Sequence, residues 1–152
     1  MKKYFLLLVL FVTTLVSAQN VVSEKIYRTT EVDSKPNLED GMYKLTQFVS
    51  ENFKFPEIKN KKIRIFTSFV IEPDGTMNEE KAFYISVKDY IDEGLFAIQT
   101  EDEKAVQANI YETMKLEAAR VLQLFNEKWI PALVGGKPVK CLYNYPITFN
   151  IE

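Results

Sequence analysis

Residues 63–76 read IRIFTSFVIEPDGT and carry the clearest strand and turn signals in the chain. Alternation over residues 63–71 places two sets of side chains on opposite faces of a strand, and both sets contain aromatic or branched residues. Pro73, Asp74 and Gly75 then predict a tight hairpin turn, because Pro presets φ, Asp bonds nearby backbone and Gly accepts a positive φ. The predicted faces are Ile63, Ile65, Phe69 and Ile71 on one side, and Arg64, Phe66, Ser68 and Val70 on the other.

Three further strands are predicted, one before this stretch and two after it. The strand that returns from the turn, residues 76–85, is interrupted by Glu79-Glu80-Lys81, which indicates a bulge or a sheet edge. Residues 26–32 are short and partly β-branched, so they predict a weak strand. Residues 142–151 predict the last strand, after a turn at Gly135-Gly136.

Two segments have helical spacing. The first, residues 38–53, has apolar residues three or four positions apart, with Asn37 or Asp40 as its expected cap. We expect it to end before Pro56, which lacks an N–H and restricts the residue before it. The second helix is predicted to begin at Ala105. Strand, helix, hairpin, helix and strand make an α+β pattern, in which two helices pack on one face of a small antiparallel sheet.

Composition excludes several kinds of chemistry. The chain has 152 residues, a net charge of −2, one Cys and no His. Without His there is no Ser-His-Asp or Cys-His relay, and one Cys cannot form an internal disulfide or a Cys-pair metal site. A charge near zero argues against nucleic-acid binding. We therefore expect no catalytic residues, no metal and no cofactor.

Residues 1–18 resemble a secretory signal peptide. Lys2 and Lys3 precede an apolar stretch, and Val16-Ser17-Ala18 offers a cleavage site. Cleavage would leave 134 residues in the periplasm or outside the cell, with no retained transmembrane helix. The alternative is an uncleaved anchor in the inner membrane with the domain facing the periplasm, although a span needs about 20 apolar residues.

The expected mature chain has two parts. Residues 19–36 form a lead-in segment, and residues 37–152 form one domain with an acidic insertion at about residues 86–103. The insertion carries several carboxylates, but it lacks the regular spacing of a calcium-binding loop, so a solvated insertion is the preferred interpretation.

Four separated blocks then resemble the TonB C-terminal domain, in its Bacteroidetes form and as a stand-alone exported version. The resemblance covers most of residues 24–151, in the same order as in the family. Phe55-Pro56-Glu57 resembles its opening, residues 69–76 and 117–122 match its middle, and residues 129–149 resemble its closing signature. The signature residues with a structural role are Pro56, Asp74, Gly75, Trp129, Pro131, Gly136, Pro138 and Pro146.

The resemblance implies a binding module and no enzymatic activity. TonB domains bind a short extended segment of an outer-membrane transporter by adding it to the edge of a sheet. In the family, the partner strand lies beside the last strand of the sheet. The contact residues that this implies are Lys140, Cys141, Leu142, Tyr143, Asn144 and Tyr145.

The residues also have simpler interpretations. Trp129 fits a core anchor, Cys141 fits a small apolar strand residue, and Tyr143, Tyr145 and Phe149 fit a sheet core better than a ligand platform. The chain departs from the energy transducer because it has no Pro-rich spacer and no expected anchor. Two hypotheses follow: capture of a protein or peptide partner, such as a TonB-dependent transporter, or a structural module whose strands pair in a homodimer.

Overall fold

A computed structural model describes residues 25–89 and 100–152. Within them lie two helices and eight strands, several of them very short. The helices are α1 (Tyr43–Asn52) and α2 (Glu101–Leu124); the strands are β1 (Tyr27–Arg28), β2 (Asn37–Leu38), β3 (Lys61–Ile71), β4 (Met77–Asp89), β5 (Trp129–Ile130), β6 (Ala132–Val134), β7 (Lys137–Val139) and β8 (Cys141–Ile151).

The main sheet has four strands in the order β1-β8-β3-β4. Strand β3 pairs antiparallel with both β4 and β8, whereas β1 pairs parallel with the start of β8. Two small ribbons, β2-β5 and β6-β7, complete the strand pairing. The predicted α+β class is confirmed, and the short parallel strand is the departure from a purely antiparallel sheet.

The alternation predicted for β3 is confirmed. Ile63, Ile65 and Phe69 are fully buried and pack in one core with residues of both helices, which include Leu45 and Met114. The even-numbered residues of β3 therefore lie on the opposite face of the sheet, which we call the open face. At one end of this face Val70 is buried, whereas Lys62 and Arg64 at the other end are exposed.

Helix α1 begins later than predicted. Met42 is its N-cap, and it makes no side-chain capping hydrogen bond. The prediction that Asn37 or Asp40 caps this helix is wrong, because Asn37 and Leu38 are extended and pair with β5. The predicted end is confirmed, since the helix stops at Asn52, before Pro56.

Helix α2 begins earlier than predicted. Thr100 caps it through a capping box, in which the Thr100 side chain accepts from the Glu103 N–H and the Glu103 carboxylate accepts from the Thr100 N–H. The predicted insertion at residues 86–103 is therefore divided. Residues 86–89 continue β4, residues 101–103 begin α2, and the part of this prediction that falls on residues 90–99 lies outside the described residues.

The weak strand predicted at residues 26–32 is shorter in the structure, since only Tyr27 and Arg28 form β1. The signal-peptide prediction, residues 1–18, also lies outside the described residues. Neither helix in the described parts of the chain is long and apolar enough to cross a membrane.

A carboxylate links the end of α1 to α2. Glu117 accepts from the Arg120 guanidinium at 2.6 and 2.7 Å and from the Lys54 N–H at 2.9 Å, while Arg120 also donates to the Asn52 carbonyl. The Glu117 side chain is only 14% exposed. The Arg120 hydrogen bond, followed by the Lys54 N–H, holds the pKa of the Glu117 carboxyl below its usual range.

We expect Glu117→Gln to lower the free energy of unfolding by about 2 kcal/mol at pH 7, because hydrogen bonds to a charged partner are lost. Because the pKa of Glu117 is lower in the folded protein than in the unfolded chain, its ionised carboxylate stabilises the fold at pH values above the unfolded-state pKa. This stabilisation is lost as the pH falls through the folded-state pKa. The difference between wild type and variant should therefore shrink below about pH 4. Urea unfolding at pH 7 and in acid tests this. Glu112→Gln, which removes a 65% exposed partner of Lys115, is the control and should change little; a constant difference across pH would contradict the role of the Glu117 charge.

Candidate peptide-binding edge

Strand β8 is regularly paired. Its register against β3 runs from Cys141 opposite Ile71 to Ile151 opposite Lys61 without a shift. In such a ladder, successive residues direct their N–H and C=O groups alternately toward the partner strand and away from it. One observed hydrogen bond therefore determines the direction of every backbone group along β8.

That hydrogen bond joins β1 to the residue before β8. The Tyr27 N–H donates to the Lys140 carbonyl at 2.9 Å, so the backbone of Lys140 points away from β3. The even-numbered residues that follow point the same way. Beyond the two residues that pair with β1, the outward-facing positions are Asn144, Pro146, Thr148 and Asn150. We call this part of the strand, residues 143–151, the β8 edge.

Pro146 fits this direction. Pro has no N–H, and within sheets it is confined to positions where a ladder donor is not needed. Its outward position means that β8 and β3 lose no hydrogen bond at residue 146. The same position leaves the Pro146 carbonyl available to a partner.

The six predicted contact residues do not all reach this edge. Cys141 and Leu142 pair with β1, and the carbonyl of Lys140 is already bonded there. Cys141 is fully buried, and burial raises the pKa of its thiol. The Lys140 ammonium lies 3.1 Å from Glu72. These three residues therefore connect β8 to β1 and to the β3–β4 hairpin.

The other three contact residues lie within the β8 edge and have different roles. Tyr143 stacks on Phe69 at 5.5 Å between ring centroids, and Tyr145 shares a 2.9 Å hydrogen bond with the Thr46 hydroxyl. Burial raises the pKa of both tyrosines. Their backbones face β3, so Asn144 alone of the six offers outward backbone groups here.

The opposite edge of the sheet, along β4, is irregular. The pairing of β3 with β4 shifts register twice, between Phe66 and Thr67 and again between Ser68 and Val70. Glu79 has a left-handed backbone with φ of 54°. Bulges of this kind blunt an edge against strand addition, so β8 offers the better surface. The bulge predicted near Glu79-Glu80-Lys81 is confirmed.

Aromatic side chains flank the β8 edge on its helix-covered face. Phe149 lies 4.6 Å from Phe53 and 4.7 Å from Phe55 between ring centroids, and Phe55 is 45% exposed. An apolar side chain of an added strand would contact this cluster. The sequence marked Phe55 only through its neighbour Pro56, because nothing in the pattern showed that it meets Phe149.

Among the remaining signature residues, Trp129, Gly75 and Asp74 make contacts that hold the hairpin turn and the core. The Trp129 N–H donates to the Gly75 carbonyl at 2.9 Å, and the Trp129 ring packs on Phe69 in the core, as predicted. Asp74 accepts from the backbone and hydroxyl of Thr76, which closes the predicted turn. Pro131, Gly136 and Pro138 lie in or beside the β6–β7 ribbon, and Pro56 lies between α1 and β3.

Residues 25–89 and 100–152 contain no cluster of His, Cys, Asp or Glu that could hold a metal ion. Comparison with protein-family models, with curated proteins and with solved structures finds no match to this chain. The resemblance to the TonB C-terminal domain therefore stays a prediction, and the geometry of the β8 edge carries the functional argument.

Proposed function

We propose that this protein is an exported binding module that captures an extended peptide segment by strand addition at the β8 edge, without catalysis. One observation carries the proposal. Strand β8 is eleven residues long, pairs with β3 without a bulge, and directs the N–H and C=O groups of alternate residues away from β3, toward the edge of the sheet. An edge of this kind is a template for another strand.

The backbone of the β8 edge offers seven outward groups, the carbonyls of Asn144, Pro146, Thr148 and Asn150 and the N–H groups of all but Pro146. Each hydrogen bond contributes a net of about 0.5–1.5 kcal/mol, and association costs at least about 4 kcal/mol. Backbone pairing alone therefore supports weak binding. Side chains beside the edge must supply the rest, and they determine which peptides bind.

The TonB resemblance supplies the class of partner. It implies a periplasmic segment of a TonB-dependent outer-membrane transporter, and we propose this link to transport for the present chain. The resemblance places the added strand beside the last strand of the sheet, and the β8 edge is compatible with that placement. The position proposed here is shifted toward the C-terminus, because β1 already occupies the first residues of β8.

The direct test is amide hydrogen exchange on the full chain, with and without a neutral, capped peptide, Ser-Gln-Val-Gln-Val-Gln-Ser. In the free protein the amides of Asn144, Thr148 and Asn150 should exchange fast, while those of Tyr145 and Ile147 are protected by β3. Saturating peptide should slow the outward amides at least tenfold. A copy of the peptide that is N-methylated at every Gln and Val, and so lacks donors along both of its edges, is the control and should not protect them.

Molecular mass distinguishes the self-pairing alternative. If the outward amides are already protected without peptide and light scattering gives a dimer, β8 pairs with a second copy and the capture proposal is wrong. Protection confined to other strands when peptide is added would also overturn it.

Export has its own test. We expect Gln19 to be the N-terminus of protein recovered from the periplasm, because the expected cleavage follows Ala18. N-terminal sequencing of the periplasmic and membrane fractions checks this. Full-length protein retained in the inner membrane would support the anchored alternative and contradict cleavage.

A further inference from the structure

The open face of the sheet has a cationic region beside the β8 edge. A concavity of about 430 Å³ lies there, lined by Lys62, Arg64, Phe66, Tyr84, Ser86, Lys88 and Thr148. Its three charged groups are all positive. None of these three groups, Lys62, Arg64 and Lys88, makes an ion pair with a described residue. This includes Glu152, the carboxylate that directly follows β8.

The register connects two of these cations to the β8 edge. Thr148 lies directly opposite Arg64, and Asn150 lies directly opposite Lys62. All four side chains therefore project from the open face, and the backbones of Thr148 and Asn150 also face outward. A partner residue that pairs with Thr148 or Asn150 must place its own side chain on the open face, because paired residues share a face.

The distances allow contact across β8. Neighbouring strands lie about 4.8 Å apart, so an added strand lies about 10 Å from β3. A Glu on the added strand and Arg64 or Lys62 on β3 can extend toward each other over the short side chain of Thr148 or Asn150. Lys88 lies on β4, one strand further away, and is beyond the direct reach of such a Glu.

The two faces of an added strand therefore meet different surroundings. On the helix-covered face its side chains approach Tyr145, Phe149 and the exposed ring of Phe55. On the open face they approach Lys62 and Arg64, which have no ion-pair partner among the described residues, although the Arg64 guanidinium lies 5.7 Å from the centroid of the Phe66 ring. A peptide whose residues alternate between acidic and apolar matches both surfaces when it pairs with β8.

We propose that the segment captured at the β8 edge carries acidic residues at alternate positions, directed at Arg64 and Lys62, with apolar residues between them. This inference rests on the proposed strand addition and names the chemical class of its partner. The whole chain has a net charge of −2, so the positive charge of this concavity is local and does not reflect a generally basic surface. Charge complementarity therefore favours an acidic extended peptide as the occupant.

The test compares two capped, labelled peptides by fluorescence anisotropy with the full chain: Ser-Glu-Val-Glu-Val-Glu-Ser and its neutral copy with Gln at the three Glu positions. At 20 mM NaCl the acidic peptide should bind about tenfold more tightly, because two exposed ion pairs each contribute a few-fold. At 500 mM NaCl the advantage should fall to about twofold or less, since screening shortens the reach of these charges.

Matched variants locate the effect. The double variant Lys62→Gln with Arg64→Gln should bind both peptides equally, at the wild-type affinity for the neutral one. Lys88→Gln removes a charge from the same concavity but one strand further from the edge, so it should preserve most of the preference. All three side chains lie on the surface of the sheet, so circular dichroism should show unchanged folding.

The outcomes separate this inference from the function on which it rests. Equal binding of both peptides to wild type, with the outward amides protected, leaves strand capture standing and overturns the acidic preference. Binding by neither peptide overturns both. If Lys62→Gln with Arg64→Gln abolishes binding to vesicles of anionic lipid while the acidic peptide binds nowhere, the concavity serves a membrane surface and the peptide assignment is wrong.

Discussion

Thr148→Pro should weaken peptide binding at the β8 edge at least tenfold while the protein stays folded. The N–H of Thr148 points away from β3, so its loss costs the sheet no internal hydrogen bond. An added strand loses that donor and also meets the Pro ring at the centre of the pairing surface. Pro146, two residues earlier and facing the same way, shows that this side of β8 accepts a Pro. Anisotropy with the neutral peptide measures the effect, and circular dichroism verifies the fold.

Two further variants isolate the backbone contribution. Thr148→Val keeps the N–H and the shape of the side chain, so it should bind the neutral peptide like wild type. Tyr145→Pro removes an N–H that faces β3 and should prevent cooperative folding, because it interrupts the ladder of the central strands. Wild-type affinity in a folded Thr148→Pro variant would place the binding site elsewhere. A stably folded Tyr145→Pro variant would show that the N–H of Tyr145 does not face β3, and that the odd-numbered residues of β8 are the ones that point outward.

Gly75→Ala should lower the free energy of unfolding by about 3 kcal/mol, a large part of the stability of a domain of this size. Gly75 has φ of +82°, and a Cβ placed there would lie 2.2 Å from the Trp129 carbonyl oxygen. The clash is with backbone, so a rotamer change cannot relieve it. The hairpin turn would have to move away from Trp129 and break the hydrogen bond between the Trp129 N–H and the Gly75 carbonyl. Urea unfolding measures the loss.

Gly135→Ala is the matched control for backbone strain. Gly135 also has a positive φ, of +57°, but nothing lies within 4 Å of a Cβ placed there. The control should therefore cost about 1 kcal/mol, the strain of a left-handed residue alone. Equal losses at the two positions would mean that the contact with Trp129 contributes nothing to stability.

Local patterns predicted the elements that depend on short-range chemistry. The alternation of residues 63–71 predicted both faces of β3, and the Pro-Asp-Gly turn predicted the hairpin, because the side chains that determine these features are neighbours in the chain. The end of α1 before Pro56 followed from Pro sterics in the same way. The helix starts were predicted less well. Leu38 was assigned to a helix but pairs with Trp129, and no local signal distinguishes the two outcomes.

For the candidate site too, the sequence predicted the local features and missed those that depend on long-range pairing. The sequence identified the last strand and the residues at its start, yet it could not show that β1 covers that start. Lys62 and Arg64 belong to a cluster of basic residues at positions 59–64, but nothing in the sequence shows which strand lies beside them. Their placement beside Thr148 and Asn150 depends on the register between strands about 80 residues apart in the chain.

The sequence by itself determined the α+β class and the two faces of the central strand. These features follow from periodicity and turn residues, which do not depend on distant parts of the chain. Only the tertiary structure decided which part of β8 has no neighbouring strand among residues 25–89 and 100–152, and which cations lie beside it. Strand order and register set those features, and both arise from long-range pairing: β1 meets β8 in parallel, and β8 meets β3 without a bulge. The direction of each backbone group on the β8 edge follows from that pairing alone.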